Sequence, residues 1–219
     1  MAVLQYLMMG RAAAGRTIIT GQRWGALENG QGELGLGNTS ETTSMTRLGS
    51  ETYWQNTESP GQQGDNRSVV NSEGKLYVWG RNNSGCLGLG DTTTRSSPVQ
   101  VGTDTDWQEA GITAGACAAI KTNGTLWTWG ENSTGALGAG NTTNRSSPAQ
   151  VGSDTDWSHV LPMAANLDAL FAMKSDGGIY YSGSGTGGLA NRNTFAQIGS
   201  EDGFVDACMI GFGVVAWKS

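Results

Sequence analysis

The chain has 219 residues, with 35 glycines, 4 prolines, 15% charged residues and a net charge of −6. Thin charge together with 8 Trp and 5 Tyr argues against disorder, which brings high charge and few aromatics. With only 13 Lys and Arg, spread along an acidic chain, neither nucleic acid nor an anionic membrane is an expected partner, because both reward clustered positive charge.

From the N-terminus, "MAVLQYLMMGRAAAG" holds an apolar run and an Ala cluster. No basic residue precedes the run and Gln5 interrupts it, so a cleaved signal is not expected. No segment approaches the ~20 apolar residues of a membrane span. Residues 6–11, "YLMMGR", repeat the pattern of "LYVWGR" (76–81), with Gly10 in the place of Gly80, and read as a strand. Residues 11–27, "RAAAGRTIITGQRWGAL", match nothing else in the chain and read as an insertion. Within them Arg16, Arg23 and Trp24 are candidate protein-contact residues, since Trp and Arg are enriched where proteins dock; a local packing role for Trp24 stays open.

From residue 28 the chain repeats itself. "ENGQGELGLGNTSETTSMTRLGSETYW" (28–54) is a first copy. "WGRNNSGCLGLGDTTTRSSPVQVGTDTDW" (79–107) matches "WGENSTGALGAGNTTNRSSPAQVGSDTDW" (129–157) at 20 of 29 positions without a gap. A second shared block follows: "SVVNSEGKLYVWG" (68–80), "CAAIKTNGTLWTWG" (117–130) and "LFAMKSDGGIYYSG" (170–183). Each holds two apolar runs of period two joined by a turn ending in Gly, which is the signature of a β-hairpin. One unit therefore reads as about four strands in about 50 residues, the pattern of a β-propeller blade. A last, worn copy, "GSGTGGLANRNTFAQIGSEDGF" (183–204), carries Phe204 where Trp stood. "VVAWKS" aligns with "AAIKT", so the final unit is one strand short, and residues 6–9 are expected to supply that strand to the C-terminal blade. The expectation is one all-β domain over 1–219, a β-propeller of about four blades with 11–27 outside the pattern.

The unit, with its Gly-rich turn, "RSSP" loop, "DTDW" turn and closing "LWTWG" hairpin, resembles the repeat of the regulator of chromosome condensation (RCC1) family, in the style of its bacterial and bacteriophage members. The resemblance is strong over 68–183 and weaker over 28–67 and 184–219. It implies a propeller, which in this family usually has seven blades. Four blades closing alone, two chains sharing a larger ring, or an open arc held in an assembly all remain open. The founder of the family acts on a small GTPase and binds chromatin, and no basic tail is present here to carry the second role.

Motifs that suggest chemistry read as structure. "GSGTGG" (183–188) fits a dinucleotide fingerprint, but no helix pattern follows it. Asp104, Asp106, Asp154 and Asp156 recur in register before strands, which favours turns closed by Asp on the backbone over a cation site. His159, the one histidine, stands where the previous copy has Glu109, and reads as an outward strand residue. Cys117 reads as a small buried residue, and the three cysteines have neither zinc nor disulfide spacing. Trp79, Trp107, Trp129 and Trp157 read as plugs between blades, and Arg95 and Arg145 as loop braces.

No catalytic, metal or cofactor residue is expected. The functional expectation is a non-enzymatic structural or interaction propeller. The version preferred is a bacteriophage virion accessory subunit, decorating a capsid or associated with a tail, whose partners are virion proteins or further copies of itself. The alternative is a cytoplasmic signalling module engaging a GTPase or another protein.

Overall fold

The computed structural model describes residues 20–21, 24–27, 29–47, 54–55, 65–113, 115–161, 169–185, 188–210 and 213–218. Among these residues there is no helix, and every regular element is a strand. In chain order they begin with β1 (Thr20–Gly21), β2 (Trp24–Leu27), β3 (Thr42–Arg47) and β4 (Trp54–Gln55). There follow β5 (Asn66–Val70), β6 (Leu76–Gly80) and β7 (Arg95–Gln100), then β8 (Trp107–Ile112), β9 (Ala116–Lys121), β10 (Leu126–Gly130) and β11 (Arg145–Gln150). The last six are β12 (Trp157–Leu161), β13 (Ala169–Lys174), β14 (Ile179–Gly183), β15 (Arg192–Gln197), β16 (Phe204–Ile210) and β17 (Gly213–Lys218).

Two copies of the repeat fold as complete antiparallel blades, β8-β9-β10-β11 and β12-β13-β14-β15. Before them stands the three-stranded sheet β5-β6-β7, and at either side lie the pairs β2-β3 and β16-β17. This is roughly four blades' worth of strand, as the repeats imply. The alternation in "KLYVWG" and "TLWTWG" becomes visible as burial: Leu76 and Leu126 are enclosed while Tyr77 and Trp127 are half covered.

Each blade is clipped to the next through its hairpin. Gly74 and Gly124 have φ of 72° and 77°, conformations that L side chains rarely adopt. A Cβ at either would strike the carbonyl of Thr105 or Thr155 in the following copy. That close approach lets Trp107 N donate to Gly74 O at 3.0 Å and Trp157 N to Gly124 O at 3.1 Å. The short β1-β4 pairing, with Gly21 opposite Trp54, is the same clip one blade earlier.

The apolar core is a series of layers between blades. The first joins Val70 and Leu76 to Trp107, Ala110, Cys117 and Trp129. The second joins Ile120 and Leu126 to Trp157, Val160 and Leu170. The third joins Phe171 and Met173 to Ala207, Val214 and Ala216. A blade thus buries its two faces on its neighbours, the condition under which repeat proteins are stable.

The structure corrects the reading of residues 11–27 as an insertion at its C-terminal end. Trp24–Leu27 is a blade strand, pairing with β3 in the register that β6 uses with β7: Trp24 opposite Arg47, as Tyr77 is opposite Gln100. Leu27 stands where Gly80 stands. The remaining residues of that segment, and the strand expected at 6–9, lie outside the described residues.

Candidate protein-interaction surface

Because the strands alternate in direction, the loops after β2, β6 and β10 leave the sheets on one rim, while hairpin tips and "DTD" turns occupy the other. The first rim is braced from within by one asparagine per copy. Asn82 is fully buried, donates from Nδ2 to the carbonyls of Asp91 (3.0 Å) and Thr93 (3.2 Å), and accepts Leu87 N at 2.9 Å. Asn132 makes the same bonds to Asn141, Thr143 and Leu137. Asn29 makes them to Asn38, Ser40 and Leu34. A buried amide that satisfies three backbone groups holds about a dozen residues of loop in one conformation, since releasing it would strand those groups. Arg95 adds an outer brace, donating to Asp91 Oδ2 at 2.6 Å and Thr93 O at 2.7 Å. The Thr93 amide bonded to the Asp91 carboxylate, and then Arg95, hold that carboxyl below its usual range.

The glycines of the same loops latch onto the next blade. Gly90 N donates to Ser146 O and Gly140 N to Asn193 O, both at 2.7 Å. Trp79 and Trp129 reach back the other way, each indole N–H donating at 2.8 Å to a carbonyl of the preceding loop, Glu33 O and Cys86 O. Both rings are buried, so the reading of these tryptophans as plugs between blades agrees with where they sit. In the worn copy Ser182 stands in place of Trp129 and donates to Ala136 O, the equivalent carbonyl.

The opposite rim carries a device that the sequence reading missed. Lys121, directly across the ladder from Trp107, sends its ammonium to Asp104 Oδ2 at 2.6 Å and Asp106 Oδ1 at 3.0 Å. It also lies about 5 Å over the rings of Trp107 and Trp127. Lys174 repeats this with Asp154, Asp156, Trp157 and Tyr180. Lys218 keeps a reduced form with Glu201 and Phe204. Burial alone would lower the Lys121 and Lys174 pKa values, but the two carboxylates at each outweigh it and leave both raised. The aspartates of "DTDW" therefore spend their carboxylates on a lysine, correcting the expectation that they fold onto their own backbone. Lys-Thr, Lys-Ser and Lys-Ser, recurring after the apolar run of each hairpin, were the available signal.

His159 is also not an outward residue. Its Nδ1 lies 3.1 Å from Glu109 Oε2 of the preceding blade, with the Glu109 side chain 0% and the His159 side chain 27% exposed. The two occupy the same register position of adjacent inner strands. A β-bulge after Trp107 and Trp157 inserts one residue at the same place in both strands, so Glu109 and His159 keep equivalent positions in successive copies. Cys117 is fully buried, and burial pushes its thiol well above its ordinary pKa. Among the described residues no group of three or more His, Cys, Asp or Glu is arranged to hold a metal ion. Of the candidate contact residues, Trp24 lies in β2, while Arg16 and Arg23 lie outside the described residues. The structure does not bring the three into one described site.

Residues 73–119 and 123–161 match the family model of the Regulator of chromosome condensation (RCC1) repeat. The repeats are RCC1-like. No curated protein matches the chain significantly. Among solved structures, human WBSCR16 is 19% identical with a TM-score of 0.74, over 91% of this chain and 54% of that one. Prp20p from Saccharomyces cerevisiae, described with its binding to Gsp1p and histones, is 14% identical with a TM-score of 0.71, over 88% of this chain and 50% of that one. Yeast RCC1 (Prp20) bound to Kap60 is 13% identical with a TM-score of 0.67, over 100% of this chain and 57% of that one. The chain spans about half the length of these structures. The likeness establishes an all-β fold of RCC1-like propeller blades.

Proposed function

We propose that the chain is a non-enzymatic scaffold that binds other proteins through the rim of braced loops. The observation that carries this reading is the repeated buried asparagine, Asn29, Asn82 and Asn132, beneath exposed tips such as Thr92–Thr93 and Thr142–Thr143. Tips held in place before contact lose little conformational entropy on binding, and copies at a fixed blade-to-blade spacing present a multivalent surface. The clamped lysines, the buried thiols and the His159–Glu109 contact each take up a reactive group in structure.

The finer reading is an accessory subunit of a bacteriophage-type particle, on capsid or tail, supported by the near-identical, hydroxyl-rich repeats. The test is quantitative detection of the chain in purified particles from cells that make it. Stoichiometric presence supports the reading, and its absence from particles while abundant in the cell overturns it. A second reading, a signalling module, draws on the likeness to Prp20p, which is described with Gsp1p binding. Stimulated nucleotide release from a GTPase would favour it over the particle.

A further inference from the structure

Arg95, Arg145 and Arg192 open the outer strands β7, β11 and β15, each opposite the glycine that ends the strand beside it, Gly80, Gly130 and Gly183. They are one position in three successive blades, on the rim of braced loops. The backbone just after Arg145 and Arg192 is fixed against the preceding loop, because Gly90 N holds Ser146 O and Gly140 N holds Asn193 O.

What differs between the copies is the partner of the guanidinium. In the first, Arg95 donates within the chain, to Asp91 Oδ2 at 2.6 Å and Thr93 O at 2.7 Å. In the second, Asn141 stands in the place of Asp91. It keeps the turn, its Oδ1 accepting Thr143 N at 3.0 Å as Asp91 Oδ1 accepts Thr93 N at 2.8 Å. Its remaining polar atom is a donor, Nδ2, bonded to Ala139 O at 3.3 Å, which offers an arginine nothing to bind. Arg145 is half-buried, yet among the described residues its guanidinium has no hydrogen-bond or ion-pair partner, so it does not brace its loop as Arg95 does. In the third copy, Arg192 Nε donates to Tyr181 Oη at 3.2 Å, and Tyr181 Oη donates to Ala190 O at 2.6 Å. That bond orients the Arg192 fork and leaves its two terminal nitrogens unbonded among the described residues. The lysines are treated otherwise: Lys75, Lys121, Lys174 and Lys218 each stand 2.6–2.7 Å from a carboxylate. Two adjacent blades thus present, on the same rim, positioned guanidinium groups with no counter-charge of their own.

Building on the loop-rim reading above, we propose that Arg145 and Arg192 are the docking point of that rim and take an acidic segment of a partner protein. Its carboxylates supply from outside what Asp91 supplies to Arg95 from within. The chain itself shows the group that fits this position: a carboxylate oxygen 2.6 Å from a terminal guanidinium nitrogen, on a loop of nearly the same sequence. Guanidinium and carboxylate match in a planar, charge-assisted pair, and arginine is enriched among the residues that carry binding energy. Two such groups on neighbouring blades make the rim select a segment with two acids at one spacing. A nucleic acid fits less well, because it rewards many clustered cations and the chain carries −6 overall.

The test is fluorescence anisotropy of a labelled deca-glutamate peptide against the full chain at low ionic strength, with deca-glutamine and decathymidylate as comparison probes. The parent is expected to bind deca-glutamate and not deca-glutamine, and Arg145→Gln and Arg192→Gln should each weaken binding about tenfold. Asn141→Asp should match the Arg145→Gln loss although Arg145 is still there, because the new carboxylate claims it. Asp91→Asn should tighten binding by releasing Arg95. Each of these two exchanges installs a residue that the sister copy already holds, so both should fold, as an unchanged circular dichroism spectrum checks. A parent that does not bind deca-glutamate, or equal affinity in the parent and all four variants, overturns the proposal. So does tighter, Arg145-dependent binding of decathymidylate, which assigns the position to a phosphate polymer. Incorporation into purified particles separates this proposal from the rim reading. If Thr142→Trp, a bulky side chain on a loop tip, blocks incorporation while Asn141→Asp and Arg145→Gln do not, the rim reading stands and the carboxylate docking point falls. If Thr142→Trp leaves incorporation intact, the rim reading falls.

Discussion

Two interfaces between successive blades solve one packing problem with different residues. Between β5–β7 and β8–β11, the Trp129 ring lies against Gly88, where an added Cβ would stand 2.6 Å from the indole nitrogen, and the indole N–H meets Cys86 O. Between β8–β11 and β12–β15, Ser182 takes the Trp129 position and makes the equivalent bond to Ala136 O. The volume left by the missing ring is filled from the outer strand: Phe195, standing where the other copies have Pro98 and Pro148, lies against Gly138 and packs edge-on to Trp157 at 5.5 Å. What the fold holds constant is a filled space over the glycine and a donor for the carbonyl beneath it. The identity of the residue is free so long as both are met, the expected behaviour of a close-packed interior.

The largest effect expected on this comparison comes from Trp129→Ala, which empties the first interface and removes its donor together. It should cost about 3–5 kcal/mol, read as a lower denaturant midpoint. A loss under about 1 kcal/mol would mean that the layer collapses without the ring. Ser182→Trp forces two rings into one space and should cost about 1–3 kcal/mol. Adding Phe195→Pro should recover much of that loss, so the double variant is more stable than Ser182→Trp alone. If Phe195→Pro deepens the loss instead, the two positions do not share a volume.

The smallest effect is at the rim. Lys121→Met, which keeps the stem over Trp107 and Trp127 and removes the charge, should cost about 1 kcal/mol. The pKa of Lys121 is raised from 10.5 in the folded chain. The clamp's contribution is therefore complete below pH 10.5 and is lost as pH rises through the higher folded value. Parent and variant midpoints should converge at strongly alkaline pH, and a constant difference across that range would rule out the charge as the source.

Much of the fold was legible because the copies over 68–183 carry their turns, apolar runs and tryptophans in the same order, and stacking is the only way such units bury both faces. The first described unit was misread because its landmark had moved. The strand before the Gly-rich turn ends in Ala26-Leu27 where the other copies have Trp79-Gly80 or Trp129-Gly130. The spacing from Asn29 to Leu34, shared with Asn82 to Leu87 and Asn132 to Leu137, was the dependable marker, because the brace depends on that interval. The lysine clamps escaped because their partners lie 15 to 20 residues apart and meet only once the hairpin register is known. His159 escaped because its partner Glu109 lies 50 residues earlier in the chain, on the preceding blade, and the two meet only when the blades stack.

The fourth copy also lacks the brace. Gly185 occupies the place of Asn132, and only eight residues, 184–191, separate β14 from β15, against the fourteen of 131–144 in the blade before. The shorter connection keeps the outer amide contact alone, Gly185 N donating to Asn191 Oδ1 at 2.9 Å as Asn132 N donates to Asn144 Oδ1 at 2.8 Å.

The clip from each hairpin carbonyl to the following tryptophan amide has a mechanical consequence. Force or denaturant acting on one sheet is passed only to the sheets that touch it, so the array behaves like a row of interlocked tiles. Loss of order should advance sheet by sheet from an exposed margin, and damage to a middle tile should leave two separate fragments of the row.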